Sequence, residues 1–342
     1  MVAATFPHEA HRMSLLLAIG LAATLPAMPA MPAMQTSYLP AGEGRRVALH
    51  CIAPDGPVRH AALFVHGASF PTMLAAGFEF APGDSWMGFM ARRGFLACGL
   101  DFLGFGDASR PPAMDAAADK AEPVTRAPAA AKQIALAVEE LRGKRHLDVH
   151  LIAHSWGTIP AAEYAAEHPG KLASLTLFGP VVPTGASETA QAKAWWNITA
   201  QERYRQLLFE DVLPKGLRLI EPAVTQRWAK AFDASVPHVQ GDAPGALRIP
   251  AGPSADIPAA QAGTYPYDPA SITAPVFAVY GDYDTVVNDS QAAAFLRRFT
   301  ASPLMWRLRI DHGTHVMHLE RYRHSLYRSV AAFIDAAEEA RP

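Results

Sequence analysis

The chain is poor in cysteine, in charge and in long apolar runs. Only two cysteines occur in 342 residues, which excludes a disulfide-scaffold fold and a thiolate metal site. Cys51 and Cys98 each lie inside an apolar strand-like run, Val47–Ile52 and Phe95–Leu100, so both are expected as packed core thiols. Charged residues make up 18% of the chain and leave a net charge of −2. That balance carries no electrostatic footprint for nucleic acid or for an anionic membrane surface. The apolar segment Ser14–Leu25 is too short to span a bilayer. It follows Arg12 and runs into a Pro-Ala-Met repeat, the pattern of a secretory signal peptide without a clean Ala-x-Ala cleavage site. Residues 1–35 are therefore set aside as a signal peptide or disordered leader. The expected location is periplasmic or secreted, with no stable membrane insertion after processing. A cytoplasmic protein with an Ala/Pro/Met leader is the alternative.

Half of the residues are hydrophobic, enough for one extended α/β domain carrying an insertion. The organising stretch is Leu147–Thr158, Leu-Asp-Val-His-Leu-Ile-Ala-His-Ser-Trp-Gly-Thr. An apolar run ends abruptly in Ala153-His154-Ser155-Trp156-Gly157, and a helix-compatible run, Thr158–Glu167, follows at once. This is the strand, tight turn and helix of a nucleophile elbow, usually Gly-x-Ser-x-Gly. The strained turn needs small residues two before and two after its centre. Gly157 meets that need, and Ala153 departs from it by one methyl. Such a turn lifts the Ser155 hydroxyl above the sheet edge and aims a helix N-terminus at it.

Around this centre, Arg46–Ala53 and Ala61–Val65 read as strands. The second runs into His66-Gly67-Ala68-Ser69, either a shaped functional loop or a plain Gly turn with a hydrogen-bonded core histidine. The apolar loop from Phe70 to Pro82 is either satellite core or the mouth of a pocket. Asp84 or Ser85 caps a helix through Arg93, and the strand Phe95–Leu100 ends in Asp101-Phe-Leu-Gly104-Phe-Gly106. Further elements are a helix at Ala127–Leu141 and strands at His146–Ala153, Leu172–Phe178, Pro275–Tyr280 and Leu304–Ile310. A terminal helix spans about Tyr322–Glu339. Alternating strands and helices argue for a mainly parallel sheet covered on both faces. Between about Thr184 and Thr273 the alternation breaks. Helical pieces are expected there around Ala190–Asn197, Glu202–Phe209 and Val224–Asp233, then a Pro/Gly-rich stretch.

Five features in this order resemble the α/β-hydrolase superfamily: the His-Gly loop, the Asp-x-x-Gly-x-Gly loop, the elbow, Gly281-Asp-Tyr-Asp284 after a late strand, and a histidine after the last strand. The resemblance covers nearly the whole chain after the leader. It implies an eight-stranded, mainly parallel sheet with helices on both faces and a helical cap inserted after strand 6. The core would comprise 36–183 and 274–342, and the cap 184–273. It further implies Ser155 as nucleophile, His315 as general base and Asp284 as the acid that orients it. Asp282 is the runner-up acid and His312 the competing base, while His318 is placed inside the terminal helix. His315 is preferred because His315–Glu320 matches the family's Gly-His-x-x-x-x-Glu. Asp101 is read as loop architecture. Amides of Ala68 and Trp156 would form the oxyanion hole. Ser69, Phe70, Trp195 and Trp196 are candidate substrate contacts, the tryptophans as part of an apolar roof.

The expected substrate is a small or medium apolar ester, with a lactone as a further candidate, processed without cofactor or metal. The spacing of His312, His315 and His318 lacks a supporting metal motif. A serine in the elbow argues against the haloalkane dehalogenase and epoxide hydrolase branches, which use aspartate there. Amide or C–C bond hydrolysis and acyl transfer use the same three residues and stay open, as does a non-catalytic ligand-binding protein on this scaffold.

Overall fold

The computed structural model describes residues 33–186 and 193–341. The expected leader falls almost wholly outside the described residues. Strands β1 (Gln35–Pro40), β2 (Arg46–Ile52) and β3 (His60–Val65) come first, then α1 (Trp86–Arg92) and β4 (Leu96–Asp101). Helix α2 (Ala127–Val138), β5 (Asp148–His154), α3 (Thr158–Glu167) and β6 (Ser174–Phe178) follow. After an insertion come β9 (Val276–Gly281), α7 (Asp289–Leu296), β10 (Met305–Ile310) and α8 (Arg323–Glu339). The insertion contains β7 (Trp195–Thr199), α4 (Ala200–Leu207), α5 (Pro222–Asp233), β8 (Ala246–Pro250) and α6 (Gly252–Gln261).

Eight strands form one sheet in the order β1-β2-β4-β3-β5-β6-β9-β10. Strands β1, β2 and β4 pair antiparallel, and the remaining neighbours pair parallel. The central strands are continuous apolar runs because both of their faces are covered. In β3, Ala61, Leu63 and Val65 enter the core under α2 and α3, while Ala62 and Phe64 enter the core under α1 and α8. The period of two delivers alternate side chains to opposite faces. Ser85 caps α1, its Oγ accepting from the Gly88 amide at 2.9 Å.

Two expectations are corrected here. Cys51 and Cys98 are not free thiols: they form a disulfide. The antiparallel register of β2 and β4 sets them directly opposite, with Cα atoms 4.1 Å apart. Their spacing along the chain hides that pairing. Residues 195–197, expected within a helix, instead open β7, which pairs antiparallel with β8. Trp-Trp-Asn-Ile-Thr carries aromatic and β-branched residues that suit a strand, and the Ala-rich segment before it is a misleading neighbour. Among the described residues, no helix is long and apolar enough to cross a membrane.

Candidate active site

Ser155 sits immediately beyond the end of β5, in a single 3-10 turn leading into α3. Its φ is +56°, a left-handed conformation that a residue with a side chain adopts only at a cost of roughly 1–2 kcal/mol. The surroundings hold it there. A Cβ on Gly67 would come within 3.0 Å of the Ser155 Cβ, and a Cβ on Gly157 would collide with the His66 carbonyl. Ala153 is fully buried, so the extra methyl relative to glycine is accommodated. Thr158 closes the turn, its hydroxyl donating to the Ser155 carbonyl at 2.6 Å.

The other two side chains arrive from loops after β9 and β10. Those loops are joined by the Tyr283 amide donating to the Gly313 carbonyl at 2.9 Å and the Gly313 amide donating to Asp282 at 3.1 Å. A Cβ on Gly281 would collide with the Gly313 backbone, so the close crossing requires glycine. As a result His315 Nδ1 lies 3.0 Å from both Asp284 carboxylate oxygens, and His315 Nε2 lies 2.8 Å from Ser155 Oγ. The Asp284 side chain is fully buried and also accepts from the Val286 amide at 2.8 Å. Gly179, just past β6, forms the floor: a Cβ there would lie 2.9 Å from His315 Nδ1 and 3.0 Å from Asp284 Oδ2. Asp282 is an exposed turn residue, and His312 is exposed with φ +58°, packed near Tyr322. The structure thus brings together Ser155, His315 and Asp284 and leaves their two competitors outside.

His318 lies in a 3-10 turn at Met317–Leu319, ahead of α8 rather than inside it. It is buried against His154 and Phe178, and burial, with His315 nearby, pushes its pKa down to about 3. His154, also buried, is held well below the ordinary histidine range by burial and by His318 and His315. Its Nε2 lies 2.8 Å from the His315 carbonyl oxygen, so a neutral imidazole supports the backbone of the histidine that faces Ser155. His66 is likewise buried, with Nδ1 2.8 Å from the Gly67 carbonyl oxygen and Nε2 accepting from the Phe102 amide at 3.3 Å. Asp101 accepts from the Thr72 and Asp107 amides, which is loop architecture. Glu320 accepts from the Thr314 amide and hydroxyl, and burial pushes its carboxyl up to about 7 against the pull of those donors.

Ser69 is buried, and its hydroxyl has no hydrogen-bond partner among the described residues. Phe70 is buried edge-on against Trp228, with ring centroids 5.3 Å apart. Of the proposed roof residues, Trp195 donates its indole N–H to the Ala116 carbonyl at 2.9 Å and stacks under Arg248. It packs with Met114, Val124 and Ala194. Trp196 is half-buried against the main core. Two residues were not singled out from sequence. Asp256, on α6, is a buried acceptor for the Trp156 indole N–H at 3.0 Å, the Ala127 amide at 2.7 Å and the Arg126 guanidinium. Arg203, on α4, lies over the Phe70 ring at 5.7 Å, and burial pushes its pKa down to about 10. Neither has a motif, because each acts across the boundary between the insertion and the core.

A family model described as the alpha/beta hydrolase fold matches residues 74–322. The chain belongs to that family. Similar solved structures include a bacterial membrane phospholipase A, 19% identical, covering 91% of this chain and 88% of its own, with a TM-score of 0.59. A lipase in an open form is 17% identical, covering 89% and 99%, with a TM-score of 0.58. Epoxide hydrolase I of potato (Solanum tuberosum) is 16% identical, covering 89% and 100%, with a TM-score of 0.58. A comparison with curated proteins finds no match. At these identities the likeness shows a shared fold.

Proposed function

We propose that the protein is a serine hydrolase cleaving a carboxylic ester of small or medium apolar character, lactones included. One observation carries this reading: the unbroken chain from Asp284 through His315 to Ser155, with links of 3.0 and 2.8 Å. Ser155 Oγ attacks the carbonyl carbon as His315 Nε2 takes its proton, and Asp284 stabilises the resulting imidazolium. The amides of Ala68 and Trp156 hold the tetrahedral oxyanion. Among the described residues, the Ala68 amide has no protein acceptor, which supports that assignment. His315 then protonates the leaving alcohol, and water repeats the sequence on the acyl-enzyme. Each oxyanion donor contributes about 3–4 kcal/mol of transition-state stabilisation.

The segment 184–273 is proposed as the cap that selects the substrate. Export is proposed as well. It is supported by the Cys51–Cys98 disulfide, since such bonds persist in oxidising compartments. An intact N-terminus on protein purified from its native source would count against export.

The test of function is fluorophosphonate labelling followed by turnover of p-nitrophenyl esters of increasing acyl length. Ser155→Ala should lose labelling, and Ser155→Ala, His315→Ala and Asp284→Ala should each lose most turnover. Labelling without ester turnover would favour amide or C–C bond cleavage, and acyl transfer would show as product formed only with an added acceptor. Binding of ligands with no labelling at Ser155 would leave a non-catalytic protein on a hydrolase scaffold.

A further inference from the structure

A second cluster of chemistry lies at the opposite ends of the same strands. His60 opens β3, His150 sits near the start of β5, and Glu338 lies in the last turn of α8. His60, His150 and Glu338 each offer one ligand atom, and these lie within 4.8 Å of one another. His150 is fully buried, whereas the His60 and Glu338 side chains are 29% and 26% exposed. His60 Nδ1 and His150 Nε2 are buried and make no hydrogen bond among the described residues. Yet Glu338 oxygens approach them at 3.6 and 3.2 Å. The other ring nitrogen of His150, Nδ1, is 2.9 Å from the Ser174 hydroxyl. That outer contact orients the ring and leaves Nε2 facing the carboxylate, which is how metal-binding histidines are held. Phe95 packs against both imidazoles, at centroid distances of 5.9 and 5.8 Å, and walls the cluster on one side.

We propose that His60 Nδ1, His150 Nε2 and the Glu338 carboxylate bind a divalent transition-metal ion of the Zn2+ type, tying α8 to the sheet far from Ser155. Two imidazoles and one carboxylate suit such an ion, while Mg2+ and Ca2+ prefer all-oxygen sets. Ligand bonds of about 2.0–2.2 Å require the three groups to draw together by about 1 Å. The half-exposed His60 and Glu338 side chains can make that movement around the fixed His150. Arg341 now stands 3.1 Å from Glu338 and 2.8 Å from Asp148. Metal binding would take Glu338 from it and leave Asp148 as its partner.

The test uses untagged full-length protein, stripped with a chelator and titrated with Zn2+ by calorimetry, with thermal melts in parallel. One Zn2+ per chain should bind and raise Tm by several degrees, and Mg2+ should do neither. His60→Ala and Glu338→Gln should each abolish the stoichiometric binding, and Ser174→Ala should weaken it by about tenfold or more. Far-UV circular dichroism checks that each variant folds. Co2+ on the unmodified protein supplies a readout independent of any variant, because coordination by the cluster should give visible d–d absorption that excess Zn2+ removes. Absence of stoichiometric Zn2+ uptake, or uptake undiminished in His60→Ala and Glu338→Gln, overturns the proposal. So does a Co2+ spectrum identical to that of the aqueous ion.

Discussion

Gly179 offers the sharpest test of the catalytic reading, because it separates backbone strain from damage to the site. Its φ is +54°, and a methyl there would lie 2.9 Å from His315 Cε1 and Nδ1 and 3.0 Å from Asp284 Oδ2. Relaxed contacts between such atoms are about 3.5–4.0 Å, so Gly179→Ala must displace His315, Asp284 or the strand end by roughly half an ångström to an ångström. The left-handed backbone adds about 1–2 kcal/mol of strain. A misplacement on the order of 1 Å costs about a hundredfold in rate, equivalent to about 2.7 kcal/mol of barrier. Gly170 is the matched control, with φ +74° and nothing within 4 Å of its notional Cβ. Gly170→Ala should therefore lose stability with little change in turnover, while Gly179→Ala should lose both stability and kcat/KM on a p-nitrophenyl ester. Melting curves and steady-state kinetics on the two variants make the comparison. Gly179→Ala retaining kcat/KM to within about threefold would refute the claim that chemistry runs through the His315–Asp284 pair.

Three other outcomes follow from residues beyond that floor. Glu320, pushed up to about 7, binds a proton in the folded state that the unfolded state releases near 4.5. Its contribution to stability is therefore full below about pH 4.5 and lost as pH rises through about 7, by up to about 3 kcal/mol. Glu163, also raised to about 7, acts in the same direction. Glu320→Gln should shrink the fall in Tm across that window, and an unchanged profile would refute the assignment. Reducing the Cys51–Cys98 bond, which closes a loop with a sequence separation of 47, should cost about 4 kcal/mol on the chain-entropy account. Thermal melts with and without reductant measure it, and coincident curves would contradict the pairing. Asp256→Ala strands the Trp156 indole and the Ala127 amide while the half-exposed Arg126 turns to water, and should destabilise by about 2–4 kcal/mol. A double-mutant cycle with Trp156→Phe should give coupling above about 0.5 kcal/mol, and additive effects would show that the indole contact carries no weight.

The parts of the site that were legible in the sequence are those encoded by neighbours along the chain. Ala153 to Gly157 declare a tight turn through small residues at fixed offsets, and the apolar runs on either side declare the strand and helix. The strands β3, β5 and β9 were visible for the same reason, being unbroken apolar runs. What depends on register or on contact across the fold was not visible. The Cys51–Cys98 pairing exists only because β2 and β4 run antiparallel with those two positions opposed. Helix α6 was hidden by Pro253 and Pro258, which lower helix propensity. The first of these stands in the opening turn, where a missing N–H costs little. His60, His150 and Glu338 sit in three different elements, with no spacing to connect them.

Those long-range contacts bear on how the site is held, because the insertion is fastened to the loops that shape it. Trp228 on α5 is buried, donates to the Leu74 carbonyl at 2.9 Å and meets Phe70 edge-on. Arg227, on the same helix, donates to the Phe80 carbonyl at 2.9 Å. Both contacts restrain the Phe70–Pro82 loop, which begins two residues after Ala68. Asp256 does the same for Trp156 from the other side. Of the two residues proposed to supply oxyanion donors, Trp156 is braced directly by a buried polar contact from the insertion, and Ala68 only through the loop that follows it. Preorganised donors lower the barrier because they need not reorient as charge develops. On the function proposed above, segment 184–273 would act on rate by holding Trp156 and the loop that follows Ala68.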